Sequence, residues 1–230
     1  MRKMANNITQ DCLPKLNTHR LVARLIAPDI SLAGELILLA AASGGGKTGW
    51  CQELWQAARA MGLNPCGLLS PAVYIGGEKT GIDLVDIGSG ERRSLAVKRP
   101  TDQAARSRQA APLASGQRDG AQAARSRQAA GPNLFLTLGW LFDAETLAWG
   151  ESRLQAMLKS SNLLPIDLLI IDEIGPLEFE RNQGWVSGLR LVDQRNYRLA
   201  CITIRPALLL AARKRWPWGQ VVQLNVNKKT

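Results

Sequence analysis

One stretch, residues 35–62, constrains this chain more than any other. It reads Glu-Leu-Ile-Leu-Leu-Ala-Ala-Ala, then Ser-Gly-Gly-Gly-Lys-Thr, then helix-forming residues as far as Met61 and Gly62. The apolar run 36–42 is far shorter than the roughly 20 residues needed to span a bilayer, and suits a strand buried on both faces. Gly44, Gly45 and Gly46 interrupt both strand and helix. Lys47 to Met61 reads as a helix, with Gly62 as its stop. A buried strand running through a tight glycine turn into a helix is the first half of a βαβ unit. The chain therefore needs a parallel sheet with helices packed on its faces.

The turn itself carries chemistry. Ala41-Ala42-Ser43-Gly44-Gly45-Gly46-Lys47-Thr48 fits the phosphate-binding pattern Gly-x-x-x-x-Gly-Lys-[Ser/Thr], with Ala41 at the first glycine position. Alanine is tolerated there if the backbone does not need a positive φ. The three central glycines let successive backbone N–H groups close around an anion at the start of the helix. Lys47 is expected to reach the β- and γ-phosphates, and the Thr48 hydroxyl to ligate Mg2+. All eight residues are expected to contact a nucleoside triphosphate.

A second apolar run, Asp167-Leu-Leu-Ile-Ile171, ends in Asp172 and Glu173. A carboxylate at such a strand end is suited to hold Mg2+ through water, the role expected of Asp172. Glu173 beside it is placed to activate a water attacking the γ-phosphate. Lys47 and Glu173 are thus the expected catalytic pair, with Thr48 and Asp172 at the metal. Arg205, directly after a third core strand, is a candidate for stabilising transferring charge. Its plainer role is a surface ion pair. Trp50 and Trp55 flank the loop's helix, with core packing set against base stacking. Asp172-Glu-Ile-Gly175 also satisfies a GTPase switch pattern, and Asn227-Lys-Lys-Thr230 begins like a guanine-reading motif. The second ends in Thr at the extreme C-terminus, and both matches are read as coincidence.

Residues 1–34 read as a leader and 35–230 as one domain. Strands are expected at 68–75, 82–87 and 93–97, with turns at Gly76-Gly77 and Gly88-Ser-Gly90, giving a β-hairpin region. Beyond it come a strand at 133–138, a helix at 143–159 with Asp143 as N-cap, and a helix at 184–192. A strand at 198–204, a helix from Pro206 to about Trp216 and a strand at 220–224 complete the pattern.

Residues 100–131 break it. Gln103 to Ala111 recurs verbatim as Gln122 to Ala130, and the segment is rich in Ala, Gln, Arg, Ser and Gly. With almost no large apolar side chain it cannot offset its ordering entropy, so it reads as a disordered insert within the domain. The net charge is +10, and half of that excess falls within 98–130. Such charge admits a nucleic-acid partner as well as simple solubility.

Four scattered cysteines and a single histidine, His19, argue against a zinc site and a disulfide framework. Neither a membrane span nor a secretory signal is evident, and a cytoplasmic location is expected.

Taken with Ser70-Pro71, Gly81-Ile-Asp-Leu-Val-Asp-Ile-Gly-Ser-Gly-Glu91 and Ile171-Asp-Glu-Ile-Gly-Pro-Leu-Glu178, the loop resembles that of the small P-loop nucleoside triphosphatases of bacteria, archaea and animals, nucleotide-kinase-like proteins. Residues 140–150 are similar to a bacterial branch of that family. The resemblance spans most of 35–224 apart from the insert. It implies a three-layer α/β fold with a RecA-like, mostly parallel sheet. It also implies slow Mg2+-dependent hydrolysis of several nucleoside triphosphates to diphosphate and phosphate. Two alternatives use the same parts: a nucleotide- or nucleoside-kinase-like phosphotransferase, and a nucleic-acid-associated ATPase.

Overall fold

In the computed structural model, residues 17–26, 34–99, 134–137, 139–161 and 164–224 are described. The core is organised around strand β1 (Glu35–Ala40), whose side chains alternate between two buried faces. Leu36 and Leu38 enter one apolar cluster, Ile37 and Leu39 the other. A pleated strand that is apolar on both faces must be covered on both. On one side α1 (Thr18–Ile26) and α2 (Lys47–Ala60) supply Leu21, Val22, Leu25, Cys51, Leu54 and Ala58. On the other, α3 (Ala144–Ser160), α5 (Val186–Gln194) and α6 (Leu209–Arg215) supply Leu154, Leu189, Val192 and Ala212. This is the three-layer α/β arrangement implied by the sequence.

The sheet runs in the order β10 (Gln220–Gln223), β1, β9 (Tyr197–Ile204), β8 (Ile166–Ile174), β2 (Cys66–Leu69), β4 (Glu78–Asp86), β5 (Arg92–Lys98), β7 (Trp140–Asp143) and β6 (Leu134–Thr137), with β3 (Ala72–Ile75) paired to β4. From β10 to β2 every pairing is parallel, and β9 stands between the two motif-bearing strands β1 and β8. From β2 to β6 every pairing is antiparallel, so the expected hairpin region forms one wing of a continuous mixed sheet.

Several elements differ from expectation for local reasons. Residues 68–75 do not form one strand: the chain breaks at Ser70-Pro71 between β2 and β3. Pro71 has no N–H to give to a ladder, and the Ser70 N–H is donated to the Asp172 carboxylate at 3.1 Å. The helix expected at 184–192 starts two residues later, because Gly184 is left-handed at φ 75°. The helix at Pro206 opens as a 3-10 turn, Pro206–Leu208, before α6. Helices α1 and α4 (Pro176–Arg181) and strand β7 were not anticipated. Asp143 caps α3 as expected, its carboxylate accepting from the Thr146 N–H at 2.7 Å. The duplicated Arg-rich segment and Asn227–Thr230 lie outside the described residues. Among the described residues no helix is long and apolar enough to cross a membrane.

Candidate nucleotide site

The parallel half of the sheet brings the C-terminal ends of β1, β8 and β9 to one edge. The loop 41–46 leaves β1 there and turns into α2. Gly44 and Gly46 take positive φ, 73° and 79°, and Gly46 is the N-cap of α2 with no side-chain cap. The first-turn N–H groups of a helix lack intrahelical partners, so this end of α2 is arranged to receive an anion. Ala41 is buried and does not belong to the described non-glycine residues with positive φ, which are Glu173, Asn182 and Arg195. Its substitution for glycine therefore costs the loop nothing in backbone conformation. It does fix Gly45, where a Cβ would lie 2.7 Å from that of Ala41 and 2.9 Å from the Ala42 carbonyl oxygen.

Lys47 is buried, and its Nζ donates to the carbonyl oxygens of Ala41 at 2.9 Å and Ala42 at 3.1 Å. The loop thus holds its own cation. Opposite it, Asp172 is fully buried. Its Oδ1 accepts from Thr203 Oγ1 at 2.7 Å and its Oδ2 from the Ser70 N–H. Burial pushes the Asp172 carboxyl above its ordinary range; the Thr203 and Thr48 hydroxyls pull it down and the Glu173 charge pushes it further up.

Glu173 has an unusual backbone. Regular alternation would send Asp172 and Glu173 to opposite faces of β8. The ladder with β9 shifts between Ile171 and Ile174, and Glu173 sits at φ 67°. Its N–H is held by Thr203 Oγ1 at 2.7 Å. A bulge of this kind re-aims a side chain, and Glu173 is exposed on the wall of the cavity beside the loop. A left-handed non-glycine residue costs about 1–3 kcal/mol and persists only where its surroundings hold it. Thr203 holds it here, with one hydroxyl serving both acidic residues.

The Gly-Pro-Leu-Glu stretch that follows has a structural role. Glu178 is buried, and its two oxygens accept from the N–H groups of Gly175 at 2.8 Å and Trp185 at 3.1 Å. It ties the segment after Glu173 back onto itself. Burial pushes the Glu178 carboxyl above its usual 4.5, against the pull of those N–H groups. The folded protein therefore binds this proton more tightly than the unfolded chain does. Glu178 is expected to make stability fall as pH rises from about 4.5 towards its folded value. Urea unfolding from pH 4 to 7 checks this: the parent should lose stability relative to Glu178→Gln as pH rises. A parent that gains stability relative to Glu178→Gln as pH rises contradicts it.

A cavity of about 460 Å³ opens between the loop and the antiparallel wing, lined by Ser43 to Gly49 and by Ser70, Tyr74, Lys79 and Glu173 among others. Its size suits a small-molecule ligand. Thr48 and Glu173 both line it, and the buried Asp172 carboxylate lies against the Thr48 hydroxyl. Arg205 is exposed after β9 and does not line the cavity. Trp50 and Trp55 pack on the cluster under α2.

Hard oxygen donors suit Mg2+, which usually takes one or two carboxylates plus water and substrate phosphates. The residues present fit it. A desolvated carboxyl such as Asp172 gains from a nearby cation, the Thr48 hydroxyl is beside it, and the Ser70 hydroxyl is buried on the same wall with no partner. Among the described residues no group of three or more His, Cys, Asp or Glu could cage a metal unaided.

Strand, glycine loop, helix start and acidic strand end together have the arrangement of a phosphate-binding loop facing a carboxylate. A sequence model of the family described as NTPase matches residues 36–121, the segment carrying β1, the loop, α2 and β2 to β5. Among solved structures the chain is similar to the solution structure of a human cancer-related nucleoside triphosphatase, at 20% identity and TM-score 0.49, over 85% of this chain and 90% of that one. No curated protein matches it in sequence.

Thr203, Ser70, Tyr74 and Lys79 were not read from the sequence as site residues. Thr203 left one signal, a polar residue near the end of the apolar run 199–204. Ser70 stood beside a proline within the family resemblance.

Proposed function

We propose that the protein is a Mg2+-dependent nucleoside triphosphatase that releases phosphate and a nucleoside diphosphate. The observation that carries this reading is Glu173. It is held left-handed by Thr203 and turned into the cavity that Lys47 and Thr48 line. Binding alone needs no such acid.

Lys47 exchanges its bonds to the Ala41 and Ala42 carbonyls for oxygens of the β- and γ-phosphates. The N–H groups at the start of α2 close on the same phosphates. Thr48 and Asp172 would hold Mg2+, Asp172 through water, and the ion would supply charge neutralisation at the phosphate oxygens. Glu173 orients a water and accepts its proton as the water oxygen bonds to the γ-phosphorus and the bridging oxygen leaves with the diphosphate. The loop residues contact phosphates common to all nucleoside triphosphates, which supports broad base use. A cytoplasmic location belongs to the same reading, supported by Cys51, Cys66 and Cys201 standing as free thiols.

Lys47→Ala tests the site. Phosphate release from ATP, GTP, CTP and UTP should fall by about 10²–10³-fold, the scale of losing a preorganised electrostatic contact. Unchanged release places the chemistry elsewhere. Phosphorylated product appearing when nucleosides are added makes the protein a phosphotransferase instead.

A further inference from the structure

Four buried side-chain polar atoms among the described residues have no hydrogen-bond partner: the indole nitrogens of Trp55, Trp185 and Trp218, and Ser70 Oγ. Only Ser70 lines the nucleotide cavity. Its position is fixed from both sides. Its own N–H is held by Asp172 Oδ2, and the Pro71 carbonyl accepts the Asp83 N–H at 2.9 Å. Pro71 stiffens the turn between them. A rigid turn therefore holds a hydroxyl, able both to donate and to accept, buried just behind the cavity wall in the residue whose amide binds the Asp172 carboxylate. A buried hydroxyl with no protein partner is unfavourable unless something else bonds it, and this one lies next to the cavity.

We propose that Ser70 is a positioning residue for the metal: its hydroxyl would hold a water of the Mg2+ shell. The inference rests on the proposed nucleotide site but not on hydrolysis there. The geometry makes Ser70 and Asp172 one unit. The Ser70 amide orients the carboxylate, and its hydroxyl completes the polar wall that the carboxylate begins. Thr48 would serve the metal from the loop side and Ser70 from the wing side.

The test is Mn2+ binding, followed by electron paramagnetic resonance with the β,γ-imido analogue of ATP, for the parent, Ser70→Ala and Ser70→Thr. Replacing groups that orient a metal's shell lowers metal affinity by about 10–100-fold, and a loss in that range is expected for Ser70→Ala. Ser70→Thr, which keeps the hydroxyl, should restore most of it. The thermal midpoint of nucleotide-free Ser70→Ala should equal or exceed the parent's, because no bond is lost. Unchanged Mn2+ affinity in Ser70→Ala overturns the proposal, as does a clear fall in its nucleotide-free midpoint, which reveals a structural partner. If the parent binds Mn2+ and the analogue but releases no phosphate from ATP, the hydrolase reading fails and the Ser70 assignment is still decided by the titration. A parent that binds neither overturns both.

Discussion

Glu173→Gln is expected to lower ATP turnover by about 10²–10⁴-fold, the usual contribution of a positioned general base, while nucleotide binding persists. Glutamine keeps the size of the side chain and the backbone N–H bond to Thr203. What it loses is the ability to take a proton. The loss should therefore fall on kcat, because a proton acceptor acts in the transition state and little before it. The geometry makes this more than a motif argument. The chain holds Glu173 at φ 67°, breaks the β8–β9 register to do so, and commits the Thr203 hydroxyl to fixing both Glu173 and Asp172. Single-turnover phosphate release separates chemistry from binding. Full turnover in Glu173→Gln makes the residue a bystander.

The second large effect is on the fold. Gly67→Ala is expected to destabilise the protein by on the order of 4 kcal/mol or more, the range reserved for severe core disruption. Gly67 adopts φ 124°, and a Cβ there would lie 1.8 Å from the carbonyl oxygen of Ile170 and 2.8 Å from its carbonyl carbon. Those atoms are backbone of β8, paired on its far side with β9 through Ile170 and Cys201. No rotamer change relieves the contact, so a strand must move. Ile170 is two residues from Asp172, and the shift reaches the site. Since a domain has only about 5–15 kcal/mol of net stability, little folded protein should remain in moderate urea. Gly62→Ala is the control. It also has a positive φ, 78°, but nothing lies within 4 Å of its Cβ, so it should cost only about 1–2 kcal/mol. Urea midpoints that fall equally in both variants contradict the account.

The loop half of the candidate site was legible because it is local. Ala41 to Thr48 is continuous in sequence, running from the end of β1 through the glycine turn into the first residues of α2. Asp172 and Glu173 were legible for the same reason, as acids ending an apolar strand. What the pattern did not carry was how the two acids are held apart. That depends on Thr203, which is 30 residues from Glu173 in sequence and meets it through the β8–β9 ladder. Tyr74 and Lys79 reach the cavity through the antiparallel wing, whose pairing order has no local signature. The break at Ser70-Pro71 was hidden for a related reason. Residues 68–75 look continuous by composition, yet the Ser70 N–H that would extend the ladder is taken by Asp172. Helix α1 buries Leu21, Val22 and Leu25 in only nine residues, too short for a helical period to stand out from the leader.

The central claim is hydrolysis at the loop and acidic strand end. Its most direct test is multiple-turnover phosphate release from ATP by the parent protein, with Mg2+ and again after chelation. The account predicts steady release with Mg2+ that stops when the metal is removed. Nucleotide bound with Mg2+ but no phosphate released contradicts it.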